Sequence, residues 1–263
     1  CVRIALHRWN TFMYEKGGLT MLFSVLRAEL LKLKRSCIWV VYLILTLIST
    51  VMGCVIYLQN VEILDSLWYS LWTQTTLFYS NFFFGPLIAV YCAYLWRVEN
   101  FNHNRNALMT APVPIPILYL SQFLAIACVT LLTQLWVGIL YFISGRAVGM
   151  TGFPPIQTCF WLLRGCLGGL AIAALQLLLS SFIRSFALPI AIALLGSIAG
   201  LLFSSRDLGL YCPYSLMLLG MNSNREEDIL SGSSLPFLLS CTIFLLLFVL
   251  LEIGYLKKSD VKA

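Results

Sequence analysis

The side chains that perform chemistry in proteins are few in this sequence and do not form the patterns that catalysis requires. Only two histidines occur, His7 and His103, and no two of the nine cysteines are spaced Cys-x-x-Cys. The Gly-x-x-x-x-Gly-Lys-Ser/Thr phosphate loop is absent because none of the six lysines follows a glycine. A Gly-x-Ser-x-Gly nucleophile turn is absent too. We therefore expect no catalysis, no bound metal and no cofactor in this chain, and any ATP must be bound elsewhere.

Most of the chain consists of apolar segments, and these must position its few polar residues. Of 263 residues, 60% are hydrophobic and 11% charged, against about 45–50% and 25% in an ordinary soluble domain. A membrane helix needs about 20 mainly apolar residues, and six such runs predict one all-α transmembrane domain over residues 37–256. The predicted spans are 37–58, 77–96, 117–144, 158–183, 186–204 and 235–256.

The charged residues cluster at the ends of these runs, so the net charge of +6 indicates membrane edges rather than nucleic acid. Cytoplasmic loops carry an excess of Lys and Arg. If both termini and the tail 257–263 are cytoplasmic, ten cations from residue 21 onward lie inside and three outside, so we expect this orientation. The inner cations are Arg27, Lys32, Lys34, Arg35, Arg97, Arg105, Arg184, Lys257, Lys258 and Lys262, and the outer ones are Arg146, Arg206 and Arg225.

The segment before the first span has two parts. Codons for Lys16-Gly17-Gly18 can form a bacterial ribosome-binding sequence just before Met21. Residues 1–20 are therefore interpreted as translated upstream sequence, with a genuine cytoplasmic extension as the alternative. Residues 21–36 predict an amphipathic helix in the membrane interface, with its cations toward anionic lipid. Its apolar face comprises Leu22, Phe23, Val25, Leu26, Leu30 and Leu33, and its basic face Arg27, Lys32, Lys34 and Arg35.

Two ionisable residues lie within predicted spans: Arg164 near the outer end of the fourth and Glu252 near the inner end of the sixth. Such groups are candidate functional sites, but both are close enough to an interface for their charged ends to reach it, which is the reading we favour. A chain with so few intramembrane charges lacks the usual residues for coupling to an ion gradient.

Small residues recur every fourth position in the fourth and fifth spans, a spacing that lets two helices approach closely, within the chain or between subunits. Polar residues in the spans are expected to form interhelical hydrogen bonds. The small residues are Gly165, Gly169, Ala173, Gly196 and Gly200, and the polar ones are Gln134, Gln176, Ser180 and Ser181.

The longest polar stretch on the predicted cytoplasmic side is 97–112, between the second and third spans. Its charges and amides, followed by an apolar pair and a proline, suit a short helix docked in the groove of a partner protein. An ordinary solvated loop is the alternative. The candidate docking residues are Arg97, Glu99, Asn102, His103, Arg105, Leu108, Met109 and Pro112.

Taken together, residues 21–263 resemble the permease subunits of type-2 ABC exporters, which have six spans, cytoplasmic termini and an N-terminal interfacial helix. In that family an acidic residue after the second span precedes a coupling segment ending in Leu-x-x-x-Pro, as Glu99, Leu108 and Pro112 do here. The run 176–190 is similar to the Gln-x-x-x-Ser-x-x-x-x-Ser-Phe-x-x-Pro-Ile pattern of lantibiotic-immunity permeases, and Pro213-Tyr214-Ser215 is similar to theirs too. Val113-Pro114-Ile115-Pro116 and Gln122 depart from the family pattern.

The resemblance implies a permease of the bacterial cell membrane that pairs with a separate ATP-binding subunit, which holds ATP and Mg, and often with a second permease. The cargo it implies is a lantibiotic or similar cationic, amphipathic peptide, although a bacitracin-like peptide and an exported product remain open. Glu226, Glu227 and Asp228 in an outer loop are candidates for attracting it, or they simply solubilise that loop. A non-transporting membrane scaffold or peptide sensor is the alternative function.

Overall fold

A computed structural model describes residues 18–64, 67–100, 113–223, 225, 228, 230 and 232–258, and within these ranges the regular structure is helical, without strands. Six helices are long and apolar enough to cross a membrane, which confirms the predicted all-α membrane fold. The interfacial helix is α1, Gly18–Arg35. The spans are α2, Val40–Gln59; α3 with α4, Leu67–Phe78 and Phe84–Asn100; α5, Ile115–Ala147; α6, Gln157–Phe182; α7, Ala187–Ser205; and α9, Leu235–Lys258. A short helix, α8, covers Ser215–Gly220.

The second span is longer than predicted, because it begins at Leu67 rather than near residue 77 and covers 34 residues. Its first turns are rich in Ser and Thr, which lowers their hydropathy. The hydroxyls donate to carbonyls one turn back, as Thr75 does to Leu71 (2.9 Å) and Thr76 to Trp72 (2.7 Å). Because these polar groups are satisfied within the helix, they can be buried in the bundle.

A five-residue π-helical turn, Tyr79–Phe83, joins α3 to α4. Such turns insert an extra residue into a helix and change the direction that side chains face. Tyr79 and Asn81 are buried in this turn, so the second span presents polar groups inside the bundle close to its midpoint.

The segment between the fifth and sixth spans is not only an outer loop. A 3-10 turn at Gly209–Tyr211 and the helix α8 fold back into the bundle, where Leu216, Met217 and Met221 have no exposed surface. The indole of Trp72 donates to the Met221 carbonyl (2.8 Å). A six-residue helix is too short to be recognised as a membrane element from its sequence.

Aromatic rings form the centre of the bundle at the end opposite α1. Trp72 lies 5.0 Å from Tyr141 and 5.6 Å from Trp161, measured between ring centroids, and so joins the second, third and fourth spans. Trp68 contacts the other side of Tyr141 (5.5 Å). Buried aromatic pairs of this kind contribute about 0.5–1.5 kcal/mol each beyond the area that they bury.

The interfacial helix packs along α5, with Met21, Glu29 and Leu33 buried and Phe23 and Leu30 exposed. An amphipathic helix was predicted here, but the assignment of Lys32 to a lipid-facing basic side was wrong. Its ammonium turns into the protein, toward Glu29 and Glu99. Two carboxylates, buried where water cannot solvate them, attract this cation more strongly than the interface does.

Candidate functional site

Three charged residues meet where α1 contacts the end of the second span. The Lys32 ammonium donates to a Glu29 carboxylate oxygen (2.7 Å), one turn earlier on α1, and to Glu99 near the end of α4. Both carboxylate residues are almost fully buried, with 1% exposure for Glu29 and 5% for Glu99. We call Glu29, Lys32 and Glu99 the junction cluster.

Charge and burial act against each other in the junction cluster. Burial raises the pKa of the Glu29 carboxyl above its usual 4.5, an effect that the Lys32 ammonium opposes. Burial alone would lower the pKa of Lys32, but the two carboxylates raise it above its usual 10.5. One cation thus holds two buried acids, and removing it would leave them close together and without their counter-charge.

The cluster includes one of the first residues of the predicted docking segment 97–112. Glu99 is joined to α1, whereas the Arg97 guanidinium lies 5.4 Å from the ring centroid of Phe186, just before α7 begins. A movement of the chain after Asn100 would therefore act on both α1 and the fifth span. The geometry is suited to transmitting a displacement rather than to catalysis.

Only part of the predicted docking segment lies within the described residues. Arg97 and Glu99 are placed as above. Neither Glu29 as a site residue nor the pairing of Lys32 with two carboxylates was predicted from the sequence. Lys32 and Glu99 are 67 positions apart in the sequence, so no local pattern predicts that they pair. The remaining docking candidates, which are Asn102, His103, Arg105, Leu108, Met109 and Pro112, lie outside the described residues.

The expectation that Glu252 reaches the membrane surface was wrong. Its side chain has no exposed surface, and the Ser181 hydroxyl donates to one of its carboxylate oxygens (2.8 Å). Glu252 shares the buried face of α9 with Phe248 and Leu256, four residues away on either side. Helical spacing therefore directs it into the bundle even though it lies near the end of its span.

Arg164, expected to reach the membrane interface, is held by an acid of the segment between spans five and six. Its guanidinium lies 3.1 Å from Asp228, and the side chains of both residues are 20% exposed. The Trp161 indole donates to the same carboxylate (3.0 Å). Asp228, predicted as a peptide-attracting residue, is thus occupied within the chain, while Glu226 and Glu227 lie outside the described residues.

The small residues of the fourth and fifth spans face other parts of the same chain. A Cβ on Gly165 or Gly169 would meet Met221 or Phe84, and one on Gly196 or Gly200 would meet Tyr214. Ala173 is fully buried. The four-residue spacing missed two backbone contacts between the fourth span and α8. A Cβ on Gly168 would lie 2.5 Å from the Leu216 carbonyl, and one on Gly220 would lie 2.6 Å from the Arg164 carbonyl.

Two of the predicted interhelical hydrogen bonds are present. The Gln176 amide donates to the Tyr214 hydroxyl (2.5 Å), and Ser181 donates to Glu252. Gln134 directs its amide nitrogen toward the sulfurs of Met217 and Met221, at 3.6 and 3.8 Å. These contacts join the third and fourth spans to the segment that folds back between spans five and six, and the fourth span to the sixth.

Potential metal ligands are scattered. Within the ranges that the structure describes, no group of three or more His, Cys, Asp or Glu is placed to hold a metal ion, and the cysteines resolved there are free thiols.

The fold and the junction cluster define a multi-pass membrane subunit whose interfacial helix is tied to the end of its second span. Residues 25–200 match the family described as ABC-2 family transporter protein. Because the match covers more than half of the chain, the chain belongs to this family and is a membrane permease component of an ABC transporter. No curated protein matches the chain.

Proposed function

We propose that this permease works with a separate ATP-binding subunit, and with a second permease, to expel a lantibiotic or similar amphipathic peptide from a bacterial membrane. Membership of the ABC-2 family and the absence of a phosphate loop from the sequence support the first part. ATP and Mg bind to the partner, and this chain supplies the membrane path. The excess of Lys and Arg in the loops on the α1 side supports a cytoplasmic position for that side and for both termini.

The observation that carries this proposal is the junction cluster. The ATP-binding subunit docks on 97–112, a segment whose first four residues, Glu99 among them, form the end of α4. Glu99 is tied to α1 through Lys32, and Arg97 contacts Phe186 before α7. Closure of the ATP-binding subunits is thereby passed to three elements of the bundle, and a peptide that binds the two bundle states differently is moved.

The peptide cargo is supported by the two sequence motifs that resemble immunity permeases. They are separated along the chain, yet Gln176 of the first donates a hydrogen bond to Tyr214 of the second. Ser181 of the first motif also contacts Glu252 of the last span. The two motifs thus form one packed unit, as expected if the features shared with those permeases act together.

The test is gentle co-purification of the tagged chain from its native host, followed by mass spectrometry and peptide-survival assays. We expect a phosphate-loop ATPase to accompany the chain and to be lost in Arg105→Glu, at an unchanged amount of membrane-inserted protein. Arg27→Glu is the control, because Arg27 is exposed on α1 and belongs to the predicted basic face rather than to the docking segment.

Two outcomes contradict the proposal separately. Recovery of the chain without any ATPase would contradict its role as a transporter subunit and would favour the function of a scaffold or sensor. In the second outcome, an ATPase accompanies the chain, but deleting the chain leaves sensitivity to every cationic peptide unchanged. This result would support the transporter role and contradict the proposed peptide cargo.

A further inference from the structure

A cavity of about 450 Å³ lies where α1 meets the first three spans. Leu33 of α1, Trp39 and Tyr42 at the start of the first span, Tyr91 of the second span and Val129 of the third line its walls. The cavity is open on one side, and its lining is almost entirely apolar. Its volume is within the range of about 300–1,000 Å³ that small-molecule sites in proteins occupy.

The depth of the cavity follows from the residues around it. It lies beside an interfacial helix and beside Trp39, a 45%-exposed indole just before the first span. Tryptophan at the end of a span marks the boundary between hydrocarbon and lipid headgroups. The cavity therefore opens onto the bilayer at the level where the acyl chain of a lipid begins.

The polar groups around the cavity select the charge of its occupant. The Tyr91 hydroxyl donates to the Ile38 carbonyl (3.0 Å), which leaves the ring to line the wall. Lys34 is the charged residue in the lining and is exposed. Among the described residues Lys34 forms no ion pair, in contrast to Lys32, which both nearby carboxylates hold. An occupant with an apolar tail and an anionic head complements this arrangement.

We propose that the cavity binds one anionic phospholipid, with an acyl chain against Tyr42, Tyr91 and Val129 and its phosphate at Lys34. A lipid placed in this way fills the space between α1 and the bundle and braces the helix that the junction cluster joins to the second span. A cationic peptide is excluded as the occupant because Lys34 would repel it. The site does not depend on the identity of the transported cargo.

Native mass spectrometry of the full chain in mild detergent tests this site, with dioleoyl phosphatidylglycerol and dioleoyl phosphatidylcholine as probes. These two lipids share their chains and differ in headgroup charge. We expect the wild-type chain to retain phosphatidylglycerol about fivefold better, which is the ratio expected from the attraction of one lysine to anionic lipid.

Two variants separate the headgroup from the chain. Lys34→Gln is expected to abolish the preference and leave phosphatidylcholine retention unchanged, whereas Lys34→Arg keeps it. Leu132→Trp, at an exposed position of the lining, fills the cavity and is expected to reduce retention of both lipids. The matched controls are Lys257→Gln, an exposed lysine outside the lining, and Leu135→Trp, one turn further along α5 and 63% exposed.

Three results would overturn the proposal. The first is equal retention of the two lipids by the wild-type chain. The second is a preference that persists in Lys34→Gln. The third is a loss in Leu135→Trp as large as that in Leu132→Trp, since lipid would then be held over the general surface of α5 rather than in the cavity.

Discussion

The Arg164 guanidinium on the fourth span holds both carboxylate oxygens of Asp228, each at 3.1 Å and 64 positions later in the chain. Asp228 also accepts hydrogen bonds from the Trp161 indole and from the Leu230 backbone amide (3.0 Å each). One carboxylate thus fastens the segment between spans five and six to the fourth span. The same segment contains α8, whose residues are buried in the bundle.

Replacing Asp228 with Asn removes the charge that Arg164 requires while keeping the shape of the side chain. Both side chains are mostly buried, so we expect a loss of about 1–3 kcal/mol in the free energy of unfolding. For a chain of this size that lowers the melting temperature by about 2–8 °C. Thermal unfolding in detergent micelles measures it.

Asp207→Asn is the matched control, since Asp207 is exposed in the same connecting segment and its φ of 58° is one that Asn readily adopts. We expect a change within about 0.5 kcal/mol. Equal losses in the two variants would show that Asp228 does not fasten the segment through Arg164.

The raised pKa of Glu29 predicts a pH dependence of stability. The folded chain retains a proton on Glu29 at pH values where the unfolded chain, with the usual pKa of 4.5, has lost it. Stability therefore falls as the pH rises from 4.5 through the raised pKa and is constant above it. The contribution of Lys32, whose pKa is raised above 10.5, is complete below that value and lost only at higher pH.

Glu29→Gln should flatten this dependence in melting-temperature curves measured from pH 4.5 upward. Glu62→Gln, at an exposed position, should leave the slope as it is in the wild type. If the slope persists in Glu29→Gln, the dependence arises from another group.

The fourth span approaches α8 so closely at Gly168 that adding a single methyl group there is expected to lower the stability of the fold. A Cβ at position 168 would lie 2.5 Å from the Leu216 carbonyl oxygen and 2.7 Å from the Met217 amide nitrogen. Backbone atoms cannot yield as a side-chain tip can, so we expect Gly168→Ala to cost about 1–3 kcal/mol or more. Thermal unfolding and the folded yield on size-exclusion chromatography report this loss.

Gly254→Ala provides the comparison, because a Cβ there would meet nothing within 4 Å and the residue lies inside α9. Alanine favours helix by up to about 1 kcal/mol over glycine, so this variant should be equal to the wild type or more stable. A tolerated Gly168→Ala would mean that α8 can withdraw from the fourth span.

The hydrogen bond from Ser181 to Glu252 predicts that removing this buried hydroxyl lowers the stability of the fold more than removing an exposed one. Ser181→Ala removes a donor to a carboxylate that has no exposed surface, at an expected cost of about 1–3 kcal/mol. Ser205→Ala, whose exposed hydroxyl only donates to Leu201 in its own helix, should change stability by less than about 0.5 kcal/mol. Melting temperatures measured in one detergent compare the two, and a larger effect at Ser205 would contradict the prediction.

The membrane class, the six spans and a helix before the first of them could all be predicted from the sequence alone. Each span must satisfy its backbone hydrogen bonds within itself, so a run of about 20 apolar residues is a local and readable signal. Where hydropathy is low, the second span begins earlier than predicted, at Leu67, and α8 was not predicted at all.

Which polar side chains meet depends on how the helices pack. The pairings of Lys32 with Glu99, Arg164 with Asp228 and Ser181 with Glu252 each join residues at least 64 positions apart. Such pairing depends on how each helix is rotated and which helix lies beside it, information that no local stretch of sequence contains. For this reason the position of Glu252 in the sequence suggested a membrane surface, whereas in the folded protein its side chain is buried in the bundle.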